Sequence, residues 1–402
     1  MSKTKLGDYF NSYGDGIHGT PIYNDKGDYF FINGNNLGNG EIIIDKNTPR
    51  IIKEEYNRIK RPLGSNTLLL SINGTLGRIA EYNGEKIALG KSVCYLNIKD
   101  ERNKYFVKYI MSTKEFQKYI ILVAHGSTIK NLAPSQVADY EFDLPDNINV
   151  EKVAFLLKSI DDKINNNNKI NAELESMAKT LYDYWFLQFE FPNEEGKPYK
   201  SSGGKMVWNE ELKREIPEGW EVGTLSQIAN ITMGSSPKGE SLNDEKQGII
   251  FYQGKTDFGF RFPVTRMYTI SPVKCANIGD ILLSVRAPVG SMNIANEKCC
   301  IGRGLAAISG KCKSFLYYMM LANQFQFDKY NNGVTTYGAI TKDELFGLKI
   351  IVPNNKIIQR FNDKICHMDK LIEKNEKENQ ELADLRDFLL PLLMNGQVGF
   401  KD

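Results

Sequence analysis

The sequence predicts an α+β chain made twice from one plan. Two mixed α/β domains with curved, antiparallel-rich sheets are each followed by a long helix, and the two helices pair as a coiled coil. Three observations predict this: an internal repeat in fixed order, short β-rich segments within each copy, and a heptad seam after each copy.

The repeat comes first because it organises the rest. "GDYFFING" (Gly27–Gly34) is similar to "GIIFYQG" (Gly248–Gly254), with Gly34 and Gly254 220 positions apart. "TLLLSINGTLGRIA" (Thr67–Ala80) matches "DILLSVRAPVGSMNIA" (Asp280–Ala295), with Ser71 and Ser284 213 apart. "IALGKSVCYL" (Ile87–Leu96) matches "CCIGRGLAAI" (Cys299–Ile308), and "HGSTIKNLAPSQVADYEFDLP" (His125–Pro145) matches "NGVTTYGAITKDELFGLKIIVP" (Asn332–Pro353) at an offset of 208. Across these matches the offset falls from 220 to 208. The first copy thus carries about a dozen extra residues, which belong in surface loops between matched segments.

Within each copy the segments are short, β-branched or aromatic, and divided by Gly, Asn, Pro and Asp, the pattern of strands and tight turns. Shorter helical stretches, Tyr105–Leu122 and Lys313–Phe327, are interspersed. After Pro145 apolar residues recur in steps of four and three: Val153, Leu157, Ile160, Ile164, then Leu174, Ala178, Leu181 and Trp185. After Pro353 the same steps give Phe361, Ile365, Met368 and Ile372, then Leu382 and Leu389. Each seam helix of roughly 36 residues spans ~54 Å.

Both seams are interrupted by asparagine, at Asn167 and Asn171 in the segment "INNNNKI" and at Asn375 and Asn379 in the second helix, with Arg386 a further polar position. A polar seam residue costs stability but fixes register and partner. The asparagine spacing fits parallel and antiparallel pairing alike; small Ala178 opposite long Met368 leans to antiparallel. Leucine at Asn167 and Asn171 is expected to raise thermal stability while loosening register. Asn165, Asn166 and Asn168 are expected on outer faces. The expected boundaries are residues 1–149 for the first domain, 150–190 for the first helical region, 191–216 for a linker, 217–353 for the second domain and 354–402 for the second helical region.

Composition narrows the function. The chain has 402 residues, 41% hydrophobic, with a net charge of +2, so any basic surface must be local. Six cysteines form no CxxC pair and three histidines are scattered, so no metal ligands are expected and the thiols are expected free. No apolar run approaches the ~18 residues of a membrane span and no basic, then apolar, leader opens the chain. The expected compartment is the cytoplasm, with no membrane partner. "GEKIALGKS" (Gly84–Ser92) is one residue too long for a phosphate loop and falls in a strand-like stretch. Adenine methyltransferases carry an Asn/Asp-Pro-Pro-aromatic tetrapeptide, which is absent from this sequence. The chain is therefore expected to be no enzyme and to hold no cofactor.

The stretches "FPNEEGKPYKSSGGKMVWNEELKREIPEGWEVGTLSQI" (Phe191–Ile228), "GSSPKG" (Gly234–Gly239), "GDILLSVRAPVG" (Gly279–Gly290) and "LRDFLLPLLMNGQV" (Leu385–Val398) resemble the DNA-specificity subunits of Type I restriction–modification systems. The resemblance covers essentially the whole chain; the amino-terminal domain departs most in wording. It implies a pseudo-two-fold molecule with an antiparallel coiled coil, each recognition domain reading one half of a split site in double-stranded DNA. It implies two methyltransferase (M) subunits recruited onto the helices and, through them, restriction (R) subunits. S-adenosylmethionine, ATP and Mg belong to those partners, with the methylated adenine flipped from the stack. Alternatives are a tandem-repeat protein dimerising through its helices, or a fused restriction–methylation enzyme, for which two recognition copies leave no room.

Bases are read by Arg, Lys, Asn, Gln, Ser and Thr, and phosphates are held by basic and hydroxyl groups. The repeat nominates matching loops. These are Asn33 and Asn35 with Gln253 and Lys255; Ser71, Asn73, Thr75 and Arg78 with Ser284 and Arg286; Lys91 with Arg303; and Ser127, Thr128 and Lys130 with Thr335, Thr336 and Tyr337. Ordinary turn chemistry is the competing reading for each. Half-sites about one duplex turn apart, ~34–36 Å centre to centre, are expected.

Overall fold

A computed structural model describes residues 2–38, 40–145, 148–331 and 338–400. The chain divides into two compact units, residues 1–165 with 379–402 and residues 166–378. Each unit therefore holds one recognition domain together with part of both long helices. The cause is apolar: the helix faces are buried in the domain cores and not only against each other.

In the first unit a four-stranded antiparallel sheet has the spatial order Phe10–Asp15, Val93–Ile98, Thr67–Ser71, Ile79–Glu81. A smaller sheet sets Tyr29–Ile32 between Arg50–Ile51 and Ile87–Leu89, and its second pairing is parallel. Ser2–Lys5 pairs with Glu141–Leu144, bringing the two ends of the domain together. Residues 84–92, the near-match to a phosphate loop, thus carry a buried sheet strand followed by another strand.

The second unit repeats the topology. Its main sheet runs Asn230–Met233, Leu305–Ser309, Ile281–Ser284, Met292–Ile294. Ile249–Tyr252 is again parallel to its neighbour, Cys299–Ile301. Glu221–Thr224 pairs with Lys349–Val352 as the closing ribbon. The sheets are antiparallel-rich, with one parallel pair per domain.

The stretch expected as one helix over Tyr105–Leu122 is two, Lys104–Ser112 and Lys114–Val123. Thr113 makes the break: its hydroxyl accepts the Phe116 N–H at 3.2 Å, capping the second helix. In the other unit Lys313–Ala322 passes into a 3-10 turn, Gln324–Phe327.

The long helices are Val150–Tyr182, continued by a π turn over Asp183–Leu187, and Asn355–Met394. Within the first unit Val153 and Leu157 share a core with Leu390, Leu393 and Met394, and Asp161 meets Arg386 at 2.9 Å. Within the second unit Asn171 bonds Asn375, and Trp185 packs on Phe361 with ring centroids 5.8 Å apart. Rising numbers on one helix meet falling numbers on the other in both units, so the pairing is antiparallel. Every seam residue is buried or half-buried: Val153, Leu157, Ile160, Asn167, Asn171, Ala178, Trp185, Phe361, Ile365, Ile372 and Asn375 fully, Ile164, Leu174, Leu181, Met368, Asn379, Leu382 and Leu389 in part. The seam also includes Tyr182 and Phe186, in ring contact with Phe361 and Phe315. Asn166 and Asn168 are exposed and Asn165 half-buried.

The linker after the first helix is held by aromatic stacking. Phe189 leaves the helix with a positive φ of 65° and stays buried, while Trp220 stacks on Phe191 at 5.0 Å and meets Phe186 and Phe189. These contacts fix the start of the second domain on the helix end. The six cysteines are free, and burial pushes the Cys299 thiol up to about 12.

Candidate nucleic-acid interface

At one end of each main sheet several polar loops converge, and the convergence is built from backbone. In the first unit the Thr67–Ser71 strand turns at Ser71. The Ser71 N–H donates to the Arg78 carbonyl at 2.9 Å, its carbonyl accepts Gly77 N–H at 3.0 Å, and its Oγ accepts Arg78 N–H at 2.9 Å. These bonds close the base of the loop and push Asn73, Gly74 and Thr75 outward. Ser284 does the same: it bonds Ser291 and Gly290 through its backbone, and its Oγ donates to the Pro288 carbonyl at 2.7 Å and accepts Ser291 N–H.

Ser71 is 0% exposed and Ser284 1%. Their expected role as DNA contacts is therefore corrected. A hydroxyl buried inside a turn and already bonded to its backbone, once at Ser71 and twice at Ser284, cannot reach a base edge, and these serines shape the loop whose tip remains available.

The neighbouring loops are tied to this one. Leu132 N–H donates to Ile72 O and Gly74 N–H to Lys130 O, so the Gly126–Lys130 hairpin, closed by reciprocal His125–Asn131 bonds, stands beside Asn73. In the other unit Ile340 N–H donates to Val285 O, and Arg286 bridges Ala339, the counterparts of Ile72 and Asn73. Thr335, Thr336 and Tyr337 lie outside the described residues.

The glycine loops complete each edge. Gly90 N–H donates to Ile32 O, and Gly302 N–H to Tyr252 O. A Cβ on Gly90 would meet Asn33 Oδ1 at 2.3 Å, and one on Gly302 would meet Gln253 Oε1 at 2.5 Å, so a side chain at either position would displace the amide beside it. Gly34 N–H donates to Ser92 Oγ, which also donates to Asn33 Oδ1 at 3.2 Å. Ser236 Oγ donates to Gln253 Oε1 at 3.1 Å and accepts Arg303 N–H.

The structure thus brings together, on one edge, Asn33, Asn35, Asn73, Thr75, Arg78, Lys91, Ser127, Thr128 and Lys130. On the other domain's edge it brings together Gln253, Lys255, Arg286 and Arg303. All are exposed except half-buried Asn73. Each edge carries three exposed cations, Arg78, Lys91 and Lys130 in one and Lys255, Arg286 and Arg303 in the other, on a chain with a net charge of only +2. Local basic charge with amide and hydroxyl groups suits phosphate and base-edge contact.

One further loop pair escaped the sequence reading. Gly16 N–H donates to Val93 O and Ile17 N–H to Leu89 O; Gly234 and Ser235 make the same bonds to Leu305 and Ile301. His18 and Ser236 therefore hold one place in the two domains. The only signal was a glycine two positions before a polar residue at an offset of 218, between stretches with little other likeness.

A model of the type I restriction modification DNA specificity domain matches residues 1–176 and again 217–384. The chain belongs to this family. It is 31% identical over 363 residues, 87% of this chain and 82% of the relative, to a chain provisionally assigned as the type I restriction enzyme MjaX specificity subunit of Methanocaldococcus jannaschii. It is 28% identical over 397 residues, 92% and 87% of the two chains, to the MjaIX specificity subunit of the same organism. The S subunit of a Type-I restriction-modification system from M. genitalium shares the fold, with a TM-score of 0.58, 18% identity and coverage of 98% and 96%. The chain is accordingly a type I specificity subunit with two specificity domains.

Proposed function

We propose that each domain of this specificity subunit reads one half of a bipartite site in double-stranded DNA, that the paired helices set the spacer, and that the chain performs no chemistry itself. Methyltransferase subunits dock on the helices and bring restriction subunits with them. S-adenosylmethionine, ATP and Mg act on those partners in the cytoplasm. The observation that carries this reading is the matching convergence of polar, locally basic loops at the same end of the main sheet in each domain. Among the described residues no cluster of three His, Cys, Asp or Glu side chains could hold a metal, and no helix is long and apolar enough to cross a membrane.

Co-expression with candidate methyltransferase subunits, followed by single-molecule methylation sequencing, tests the proposal. The expected result is a stable complex that methylates adenine at a two-part sequence with an unread spacer. A chain that purifies without a methyltransferase, or a complex leaving a continuous mark, would overturn it.

A further inference from the structure

Each recognition domain meets its helices through a buried ion cluster, and the two clusters are wired differently. The common element is an aspartate at one place in the repeat, Asp161 and Asp369, 208 positions apart. Each accepts a tyrosine hydroxyl from its own domain, Tyr109 at 2.8 Å and Tyr318 at 3.2 Å. The cations that neutralise them come from different places.

In the first unit Lys108 of the domain lies 3.3 Å from Asp161 and 2.8 Å from Glu81, and Arg386 of the second helix reaches Asp161 at 2.9 Å. In the second unit the domain supplies the guanidinium. Arg261, 1% exposed, lies 3.2 Å from Glu175 on one helix and 3.6 Å from Asp369 on the other. It donates to Tyr318 Oη at 2.8 Å and stacks 4.1 Å above Tyr317.

The backbone shows that these are alternatives at one place. Glu81 N–H donates to Gly40 O at 2.9 Å, and its counterpart Ile294 donates to Arg261 O at 2.8 Å. Gly40 therefore stands where Arg261 stands. A Cβ on Gly40 would point at Lys108 Nζ, 3.3 Å away, and φ there is +82°. Arg386 corresponds to Ala178 and Ala383 to Glu175, both 208 apart, while the shared tyrosine bond sets Tyr109 with Tyr318 and so places Lys108 with Tyr317, 209 apart. A lysine beside glycine in one domain becomes a tyrosine beneath arginine in the other. The helix arginine of one junction is a buried alanine at the other.

We propose that these clusters are a charge key that fixes which recognition domain sits on which helix junction. The second domain, docked at the first junction, brings Arg261 against Arg386 and finds no counterpart of Glu175. The first domain, docked at the second, brings Lys108 and its partner Glu81 to two further carboxylates, one cation among three anions. Each exchange leaves charge unbalanced, and the Arg386 junction rejects the Arg261 domain. Two guanidiniums brought together to share one buried carboxylate, Asp161, are strongly unfavourable.

Moving the guanidinium from domain to helix tests the key in the full chain. Ala178→Arg gives the second junction the arginine of the first, and cleavage within residues 217–353 by thermolysin under native conditions is expected to quicken at least about tenfold. Adding Arg261→Gly recreates the first wiring and is expected to recover at least about tenfold, although Arg261→Gly alone also quickens cleavage. Ala178→Leu, which adds bulk without charge, is expected to gain nothing from Arg261→Gly. A double variant showing only the product of the single effects overturns the key, and so does equal rescue of Ala178→Leu.

A second measurement uses the chain with residues 217–353 copied in place of 1–149. Arg386→Ala is expected to slow proteolysis of that chimera and to quicken it in the natural chain. The same sign in both, or no protected chimera with Arg386→Ala, counts against the key. None of these readouts involves DNA or a methyltransferase, so they stand or fall separately from the proposed function.

Discussion

Ser71 and Arg286 illustrate how unlike two polar residues can be in the matching loops of the two domains. Ser71→Ala removes a buried hydroxyl that satisfies the Arg78 amide, and is expected to cost about 1–3 kcal/mol in denaturant unfolding without changing the methylated sequence. Arg286→Ala is expected to leave unfolding within about 0.5 kcal/mol and to weaken discrimination in one half-site by about 1–3 kcal/mol, read by methylation sequencing. Loss of a half-site in the serine variant, or an unchanged site in the arginine variant, would reverse these assignments. Asp161 makes a separate prediction. Burial raises its carboxyl, but Lys108, Arg386 and the Tyr109 hydroxyl together hold it below the ordinary 3.8. A carboxyl lowered by folding adds stability that is complete above its unfolded value and is lost as pH falls through the lower, folded one. Asp161→Asn should therefore flatten the loss of stability below about pH 4. The serines were legible in the sequence as turn residues or readers alike. Only the closed hydrogen bonds separate the two, because the choice depends on which way a side chain points at a strand end.

The long helices were legible because a seam leaves a spacing of three and four in the sequence, whatever lies around it. What the spacing hides is where each polar seam residue finds its partner. Asn171 is 0% exposed; its amide donates to Glu376 at 2.8 Å while its Oδ1 accepts from Asn375 at 2.8 Å. Asn167 donates to Glu378 at 2.8 Å. These bonds alter the expectation that leucine at Asn167 and Asn171 simply stabilises. Asn171→Leu alone strands the Asn375 amide in the seam and is expected to lower stability by about 1–3 kcal/mol. Asn171→Leu with Asn375→Leu replaces both partners by apolar groups and should recover that loss, since half-buried Glu376 can turn to water. Thermal unfolding of the two single variants and the double variant checks the cycle, and additive losses would break it. The ion clusters beside the seam were not legible at all. Gly40 and Arg261 lie at an offset of 221 in stretches without sequence likeness, and only the shared bonds from Glu81 and Ile294 reveal that they hold one place.

For the whole molecule, the repeat in the sequence carried the most information, because matched segments in fixed order must fold alike when each buries the same strands. The order of strands in the two main sheets agrees throughout, and a second sheet in each domain holds a matching parallel pair. A molecule that reads two half-sites with two copies of one domain should keep half-site identity and spacer length as separable properties. On the proposed function, half-site identity would reside in loop tips such as Asn73 and Arg286, and the spacer would depend on helix length. Inserting seven residues into both long helices at the asparagine layer preserves the seam, because one heptad returns each apolar position to the same face. It lengthens each helix by ~10.5 Å, or at most about three base pairs of duplex. The expected result by methylation sequencing is two unchanged half-sites around a longer spacer. Inserting seven residues into one helix only should instead break the register of the pair and abolish methylation. Replacing residues 1–149 by a homologous domain should change one half-site and leave the spacer alone, provided that the incoming domain carries no arginine where Gly40 stands. An unchanged spacer after the double insertion would show that something other than the helices measures the DNA.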